Sequence, residues 1–299
     1  MHFGILNVNK LPGVSSRKVV DSVERHVRPT KCGHAGTLDP LASGVLVICV
    51  GPATRLVPYV QRMPKRYRAT FLLGRTSPSD DMECDATPIE GAPEPTLAQI
   101  NAVLPQFLGT IAQRPPAYSA VKVAGRRAYE LARRGNAVEL APRAVIIHRL
   151  EVRRFVYPEL ELEIECGSGT YVRSLGRDLA ATLGTAAVMS ALERTAIGEF
   201  RVGNAVRLDE LNIDNLVQYL LPPLTAVSGI PRITLNESQL KEIGHGRPIE
   251  KPVATVPSEP KIEVEWAAVD GAGRLIAILY EKRPGQLWPA LNFFQSNIA

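Results

Sequence analysis

Twelve residues, Gly33-His-Ala-Gly-Thr-Leu-Asp39-Pro-Leu-Ala-Ser-Gly44, constrain the fold of this chain more than any other stretch. Three glycines and a proline in so short a span demand a tightly folded loop, and an aspartate before a proline starts turns through its own side-chain hydrogen bond. Both flanks are regular. Upstream, Val19, Val20, Val23 and Val27 recur at helical spacing behind the cap candidates Ser15 and Ser16, which predicts a helix from about Ser16 to Arg28. Downstream, Gly44-Val-Leu-Val-Ile-Cys-Val50 is a continuous apolar run bounded by glycines, the pattern of a buried strand, and Pro52 then opens a helix carrying Leu56, Val57 and Val60. Asp39 thus falls in a loop just before a core strand, where a carboxylate serves either as a turn former or as a reactive group.

Alternation carries the reading along the chain. Tyr67, Ala69, Phe71 and Leu73 alternate with polar neighbours, as do Leu160, Leu162, Ile164 and Cys166, so both segments read as half-buried strands. Ser77 to Thr96 is rich in Pro, Asp, Glu and Gly and reads as an exposed loop, ending at a helix cap before Leu97, Ile100, Val103, Leu104 and Phe107. Gly167-Ser-Gly-Thr170 leads into a helix from Tyr171 to Leu183, stopped by Gly184, with Arg173 on its first turn. In the tail, Ile262, Val264, Trp266 and Ala268 alternate ahead of the turn Asp270-Gly-Ala-Gly273 and a second strand-like run, Leu275 to Tyr280. A Pro-rich stretch, Glu250 to Pro260, reads as a loop inside this small all-β unit. The mixture of strands and helices before it is α+β, and 299 residues suit two domains at roughly 150 residues each.

Charge is distributed unevenly. The chain carries 35 basic and 30 acidic residues, and from Ile230 onward eight of each, so the excess of five belongs to the first 229 residues. There the basic residues bunch in Arg62-Met-Pro-Lys65-Arg66-Tyr67-Arg68 and from Lys122 to Arg134, with tyrosines interleaved. That mixture suits a phosphate backbone with unstacked bases, or else a solvated face whose long stems cover apolar surface. The four cysteines, Cys32, Cys49, Cys84 and Cys166, form no C-x-x-C pair and have no histidine cluster nearby, which signals neither a zinc site nor a disulfide framework. The N-terminus lacks an apolar segment with a cleavage site, and no apolar run approaches the roughly 18 residues of a membrane span; a cytoplasmic protein without membrane association is expected.

The string around Asp39 resembles the signature of the tRNA pseudouridine-55 synthase family, G-H-x-G-x-L-D-P-x-A-x-G-x-L, at every fixed position. Further similarities follow in the family's order. Lys65-Arg-Tyr67-Arg-Ala69, with Leu73-Gly74 behind it, is similar to its K-x-Y segment. Gln113-Arg-Pro-Pro116-Ala-Tyr118-Ser-Ala-Val-Lys122-Val-Ala-Gly125, continuing to Tyr129, Ala132, Arg133 and Gly135, resembles its Pro-Pro-x-Tyr-Ser-Ala stretch. Gly169-Thr-Tyr171-Val-Arg173-Ser-Leu, then Asp178-Leu179, resembles its G-T-Y-x-R motif. Spread over about two hundred residues, these matches are jointly specific where each alone is weak. Asn9-Lys10-Leu-Pro12-Gly13 is similar to the family's opening K-P-x-G with the proline one place late. Ser77-Pro-Ser-Asp-Asp81 stands for T-D-T-x-D, Gly169 lacks the usual preceding lysine, and Leu192-Glu193-Arg194 replaces Leu-Arg-Arg, so two expected positive charges are absent.

The resemblance implies an α+β pseudouridine-synthase catalytic domain over residues 1–229, with a mixed or antiparallel sheet and an RNA-binding cleft. A small β domain of the PUA type would occupy residues 230–299. It implies Asp39 as the catalytic carboxylate, Tyr67 stacking on the target base and Arg173 pairing with Asp39. His34 would fill the space the base vacates, and Leu192 would be an apolar pocket residue. Lys10, Lys65 and Tyr171 would bind substrate. The residues alone leave Tyr67 as a core tyrosine, His34 as a loop histidine bonded to backbone and Arg173 as a surface or capping arginine. The implied reaction breaks the N1–sugar bond of a T-loop uridine of tRNA and rejoins the base through C5. It calls for a nucleophile or base, a pocket for the detached uracil and exclusion of water, with neither metal nor cofactor. An Arg173 beside Asp39 would keep its carboxylate charged. The expected enzyme acts as a monomer on the T-arm of tRNA without guide RNA or protein partner. Two other classes fit less well. A tRNA-binding or tRNA-folding chaperone would not need Asp39, Tyr67 and Arg173 intact, and a glycosidase normally wants a second facing carboxylate.

Overall fold

The computed structural model describes residues 2–119, 122–123, 126–129, 140–252 and 264–297. Most of the basic stretch from Lys122 to Arg134, with Ala132, Arg133 and Gly135, lies outside the described residues, as do Ile262 and most of the Pro-rich stretch. In chain order the strands before the tail are β1 (Gly4–Lys10), β2 (Cys32–His34), β3 (Ser43–Val50), β4 (Lys65–Leu73), β5 (Arg75–Thr76), β6 (Thr87–Pro88), β7 (Gly109–Gln113), β8 (Lys122–Val123), β9 (Arg126–Arg127), β10 (Arg143–Val156), β11 (Glu159–Cys166), β12 (Ala187–Ile197), β13 (Phe200–Arg201) and β14 (Val206–Arg207). The helices that matter below are α1 (Ser16–Val27), α2 (Val57–Arg62), α3 (Leu97–Val103) and α4 (Val172–Thr182).

These strands build one ten-stranded mixed sheet in the order β14-β1-β3-β12-β4-β11-β10-β7, with β2 added to β3 and β13 to β12. Most pairings are antiparallel, and β12 meets β3 in parallel only at Glu193 and Arg194. The continuous apolar run of β3 follows from burial on both faces. Leu46, Ile48 and Val50 pack with Val19, Val20, Val23 and Val27 of α1, whereas Val45, Val47 and Cys49 pack into a second cluster. In β4 the alternation is strict. Tyr67, Ala69, Phe71 and Leu73 face a core shared with Leu160, Leu162 and Ile164 of β11 and with Val172, Leu175 and Leu179 of α4. The helix after β4's partner strand lies very close to the sheet, because a Cβ at Gly176 would sit 2.0 Å from the Phe71 ring.

The tail forms a separate five-stranded sheet from β15 (Arg232–Thr234), β16 (Ile249–Glu250), β17 (Glu265–Val269), β18 (Leu275–Arg283) and β19 (Gln286–Asn292), in the order β15-β17-β18-β19-β16. It also carries one helix, α5 (Glu237–Gly244), capped by Asn236 with Gln239 in a capping box, which the strand pattern did not announce. Among the described residues no helix is long and apolar enough to cross a membrane.

Candidate active site

The loop between β2 and β3 is held on every side by side chains that bind its backbone. Ser16, at the start of α1, both donates to the Leu38 carbonyl (3.0 Å) and accepts from the Leu38 N–H (2.9 Å). The Ala42 N–H donates to the Asp39 carbonyl at 3.0 Å, closing the turn expected of Asp-Pro, and the Gly13 N–H donates to the Pro40 carbonyl at 2.8 Å. The fully buried Lys10 directs its ammonium at the carbonyls of Leu11 (3.0 Å), Pro40 (3.3 Å) and Ala42 (2.5 Å). Asp39 itself, in the middle of this loop, retains 34% of its side-chain exposure.

Arg173 reaches Asp39 from the first turn of α4, with Nη2 3.0 Å from Oδ2. It is no surface arginine, since only 6% of its side chain is exposed. Its Nη1 lies 3.2 Å from Asp81 Oδ2 and donates to the Ser79 carbonyl at 2.9 Å, while Nη2 also donates to the Tyr118 carbonyl at 3.0 Å. The guanidinium therefore bridges two carboxylates, one open to the outside and one sealed in. Burial of an arginine in this way holds only when its donors are matched by acceptors, as they are here.

Asp81 corrects one expectation. The Ser77–Thr96 stretch is not merely an exposed loop, because Ser79 and Asp81 are fully buried under it, against Arg173. Asp80 adopts a positive φ of 58° and pairs with Arg177 at 2.8 Å, a second clamp between this loop and α4. Polarity concealed the burial: the run looks solvated in sequence because its partners lie some ninety residues away.

Asp39 itself sits between opposing influences. Burial outweighs the attraction of Arg173 at Asp39, and the nearby Asp81 and Glu83 add to it, so the carboxyl holds its proton above the usual aspartate range; Lys10 pulls the other way. The arginine limits that rise and so favours the ionised form.

Tyr67 is 9% exposed on the inward face of β4, in one cluster with Leu38, Ala42 and Leu192. Burial raises its phenol pKa, opposed by the Arg194 guanidinium beside it. Leu192, 8% exposed, stands on β12 with its carbonyl bonded by Ser43. His34 on β2 is half-buried, and its Nδ1 has no partner among the described residues. Burial first, then Arg194 and Arg17, lower its pKa, so the ring is neutral at neutral pH. Tyr171 caps α4, its N–H donating to Gln113 Oε1 at 2.7 Å.

The two lysines expected to bind substrate are turned inward. Lys65 is buried and its ammonium donates to the carbonyls of Gln61 and Met63 (2.7 Å), as Lys10 does to its loop. Desolvation brings both to about 8. Neither presents a charge to RNA, and both serve as backbone pins. The basic run around them is likewise spent on protein: Arg66 pairs with Glu165 at 2.9 Å, Arg68 with Glu193 at 3.1 Å, and Arg62 with Glu265 at 3.5 Å. Arg194, which the sequence places in the segment standing for Leu-Arg-Arg without a role, is only 2% exposed, and its Nε, Nη1 and Nη2 donate to the carbonyls of Val45 (2.8 Å), Thr37 (3.4 Å) and Gly36 (3.0 Å). Among the described residues no three His, Cys, Asp or Glu are grouped to hold a metal ion.

Comparison with known proteins identifies the family. Residues 24–172 match the TruB family pseudouridylate synthase (N terminal domain) model. The tRNA pseudouridine synthase B of Dehalococcoides mccartyi is 38% identical over 97% of this chain and 96% of its own, and that of a Caulobacter species 39% identical over the same shares. A solved H/ACA RNP bound to a substrate RNA containing 2'-deoxyuridine superposes with a TM-score of 0.73 over 97% of this chain and 85% of that one, at 23% identity, which shows the fold. A Cbf5-Nop10-Gar1 complex gives the same TM-score over 93% and 78%, at 25% identity. Identity at this level, sustained over nearly the whole length, means that the chain belongs to the TruB family of pseudouridylate synthases.

Proposed function

We propose that the chain isomerises uridine 55 of tRNA to pseudouridine, as its relatives named tRNA pseudouridine synthase B do. The single observation that carries the assignment of roles is the 3.0 Å pair between buried Arg173 and partly exposed Asp39. Asp39 is the only member of the Asp39–Arg173–Asp81 trio with an open face, so it is the group a substrate can meet. It acts at the uridine as nucleophile or base while the N1–C1′ bond breaks. The uracil turns, C5 bonds to C1′, the C5 hydrogen leaves as a proton and N1 gains one, so the product is an isomer.

A uridine inside a folded T-loop must be flipped out to reach Asp39, and flipped bases are held by aromatic stacking. Tyr67 supplies that surface, with Leu192 beside it, and neutral His34 and Tyr171 line the approach to the vacated space. The division into a catalytic domain, residues 1–229, and a PUA-like RNA-binding domain, residues 230–299, is supported by the separate tail sheet. The relatives matched over nearly full length are named as tRNA enzymes, which supports tRNA as the substrate; the reading is of a stand-alone cytoplasmic monomer acting on the T-arm without guide RNA. A non-catalytic tRNA-folding role would leave the buried Arg173 network without a purpose.

The test is an unmodified tRNA transcript carrying tritium at uridine C5, incubated with the purified protein alone and with Asp39→Asn. One tritium released per tRNA by the parent and none by the variant supports the reading; binding without release by the parent overturns it.

A further inference from the structure

Arg194 is the largest fully buried side chain of the described core, yet it has no ion-pair partner among the described residues. Its charge is compensated by backbone carbonyls, with the Tyr67 hydroxyl beside it, and all three carbonyls belong to the segment that carries Asp39: Gly36 and Thr37 before it, Val45 after it. Such an arrangement is costly unless the geometry is satisfied, because a buried guanidinium with missing acceptors is strongly destabilising. The residue is fixed from behind as well. Arg194 lies opposite Tyr67 in the β12–β4 ladder and opposite Gly44 in the short parallel pairing with β3. A Cβ at Gly44 would fall 2.3 Å from the Arg194 carbonyl oxygen, and Gly44 has a φ of +96°, so only glycine lets the loop's end approach this closely. One residue thus ties both ends of the Asp39 loop to the strand position that faces Tyr67.

We infer that Arg194 is a positioning residue for the isomerisation: it sets where the Asp39 carboxylate stands relative to the Tyr67 ring and touches neither substrate nor the reacting atoms. The inference rests on the proposed function and deepens it. A fork of three donors spanning two loop ends cannot be reproduced by a lysine, which keeps the charge but binds as a point. The loop would still form, held by Ser16 and Lys10, with Asp39 displaced. Misplacement by about 1 Å costs on the order of 100-fold in rate.

The experiment compares the parent with Arg194→Lys in single turnover, enzyme in excess over the tritiated transcript, alongside Kd for the same transcript by filter binding and a thermal melt. The expected result is a folded variant with Kd within twofold of the parent and a single-turnover rate lower by roughly 100-fold. A double variant with Tyr67→Phe loses less than the product of the two single losses, since both act on one geometry. An unchanged rate in folded Arg194→Lys overturns the inference, and so does a rate loss matched by an equal loss of affinity, which marks general structural damage. Should Arg194→Lys not fold, Gly36→Ala takes its place. That change disturbs the carbonyl held by Nη2 at a φ of +125° while Arg194 stays, and it must show the same rate-only loss. If the parent itself releases no tritium, it is the proposed function that fails.

Discussion

Asp39 must be ionised to act as nucleophile or base, and its surroundings raise its pKa above the ordinary aspartate range. The sign is set by burial, which raises its pKa; Arg173 lowers it, and Asp81 and Glu83 raise it further. The rate should therefore fall as pH drops through a value above the ordinary aspartate pKa of about 3.9. Glu83 is an exposed neighbour whose charge contributes to that rise, so Glu83→Gln should move the acid limb of the single-turnover pH profile to lower pH with the plateau intact. Arg173→Met should move it to higher pH and lower the plateau as well. An acid limb at the ordinary aspartate value in the parent, or one that Glu83→Gln leaves in place, would show that a different group controls the rate. The three catalytic candidates were legible because each sits inside a motif. Asp81 and Arg194 also stand in motif segments, but their burial and partners were not legible, since a buried charge is recognisable only by partners distant in sequence.

At the scale of elements, the site depends on two close approaches. Ser16 begins α1 and gives the Leu38 backbone both of its side-chain bonds. Ser16→Ala leaves a buried N–H and carbonyl of the loop without that partner, at about 1–3 kcal/mol for each unsatisfied group. The expected outcome is a lower melting temperature together with slower isomerisation; an unchanged melt would mean that the loop is held by its other contacts alone. The second approach is α4 on β4. Gly176 lies one helical turn after Arg173, and an added methyl would enter the Phe71 ring. Gly176→Ala gains about 1 kcal/mol of helix propensity but costs about 1–3 kcal/mol in overpacking. The helix should shift, carrying Arg173 away from Asp39, and a calorimetric melt should show net destabilisation. A raised melting temperature would exclude that close packing. Both helices were readable from their apolar periodicity and caps, and β3 and β4 from run length and alternation. Their separations were not, because glycine in a helix reports only that space is scarce and never which ring occupies it.

For the whole molecule, the decisive feature is that the tail sheet, besides a core of its own around Trp266, Ile276, Leu279 and Leu287, buries a second set of side chains in a core shared with the large sheet. Ala267, Leu275, Ile278 and Phe293 join Ile5, Val45, Val47, Ala53 and Leu56 in one buried cluster. Phe293 stacks on Phe3 at 5.3 Å between ring centroids, and Arg55 lies 5.2 Å above its ring while donating to the Asn292 carbonyl at 2.9 Å. Tyr59 on α2 donates to Glu265 at 2.7 Å, another contact across the same seam. None of this was visible from sequence, because residues such as Arg55 and Asn292, 237 positions apart, carry no local signal of one another. The outer face of β3 that binds the tail is the reverse of the face that binds α1, and β3 begins where the Asp39 loop ends. Loosening the seam should therefore be felt in global stability. Phe293→Ala removes a fully buried ring from the centre of the seam and should cost about 3–5 kcal/mol. It should lower a single cooperative calorimetric transition rather than split it. Two separated transitions in the parent, or a Phe293→Ala variant that melts only its tail, would show that the two sheets fold independently and that the Asp39 loop does not lean on the C-terminal unit.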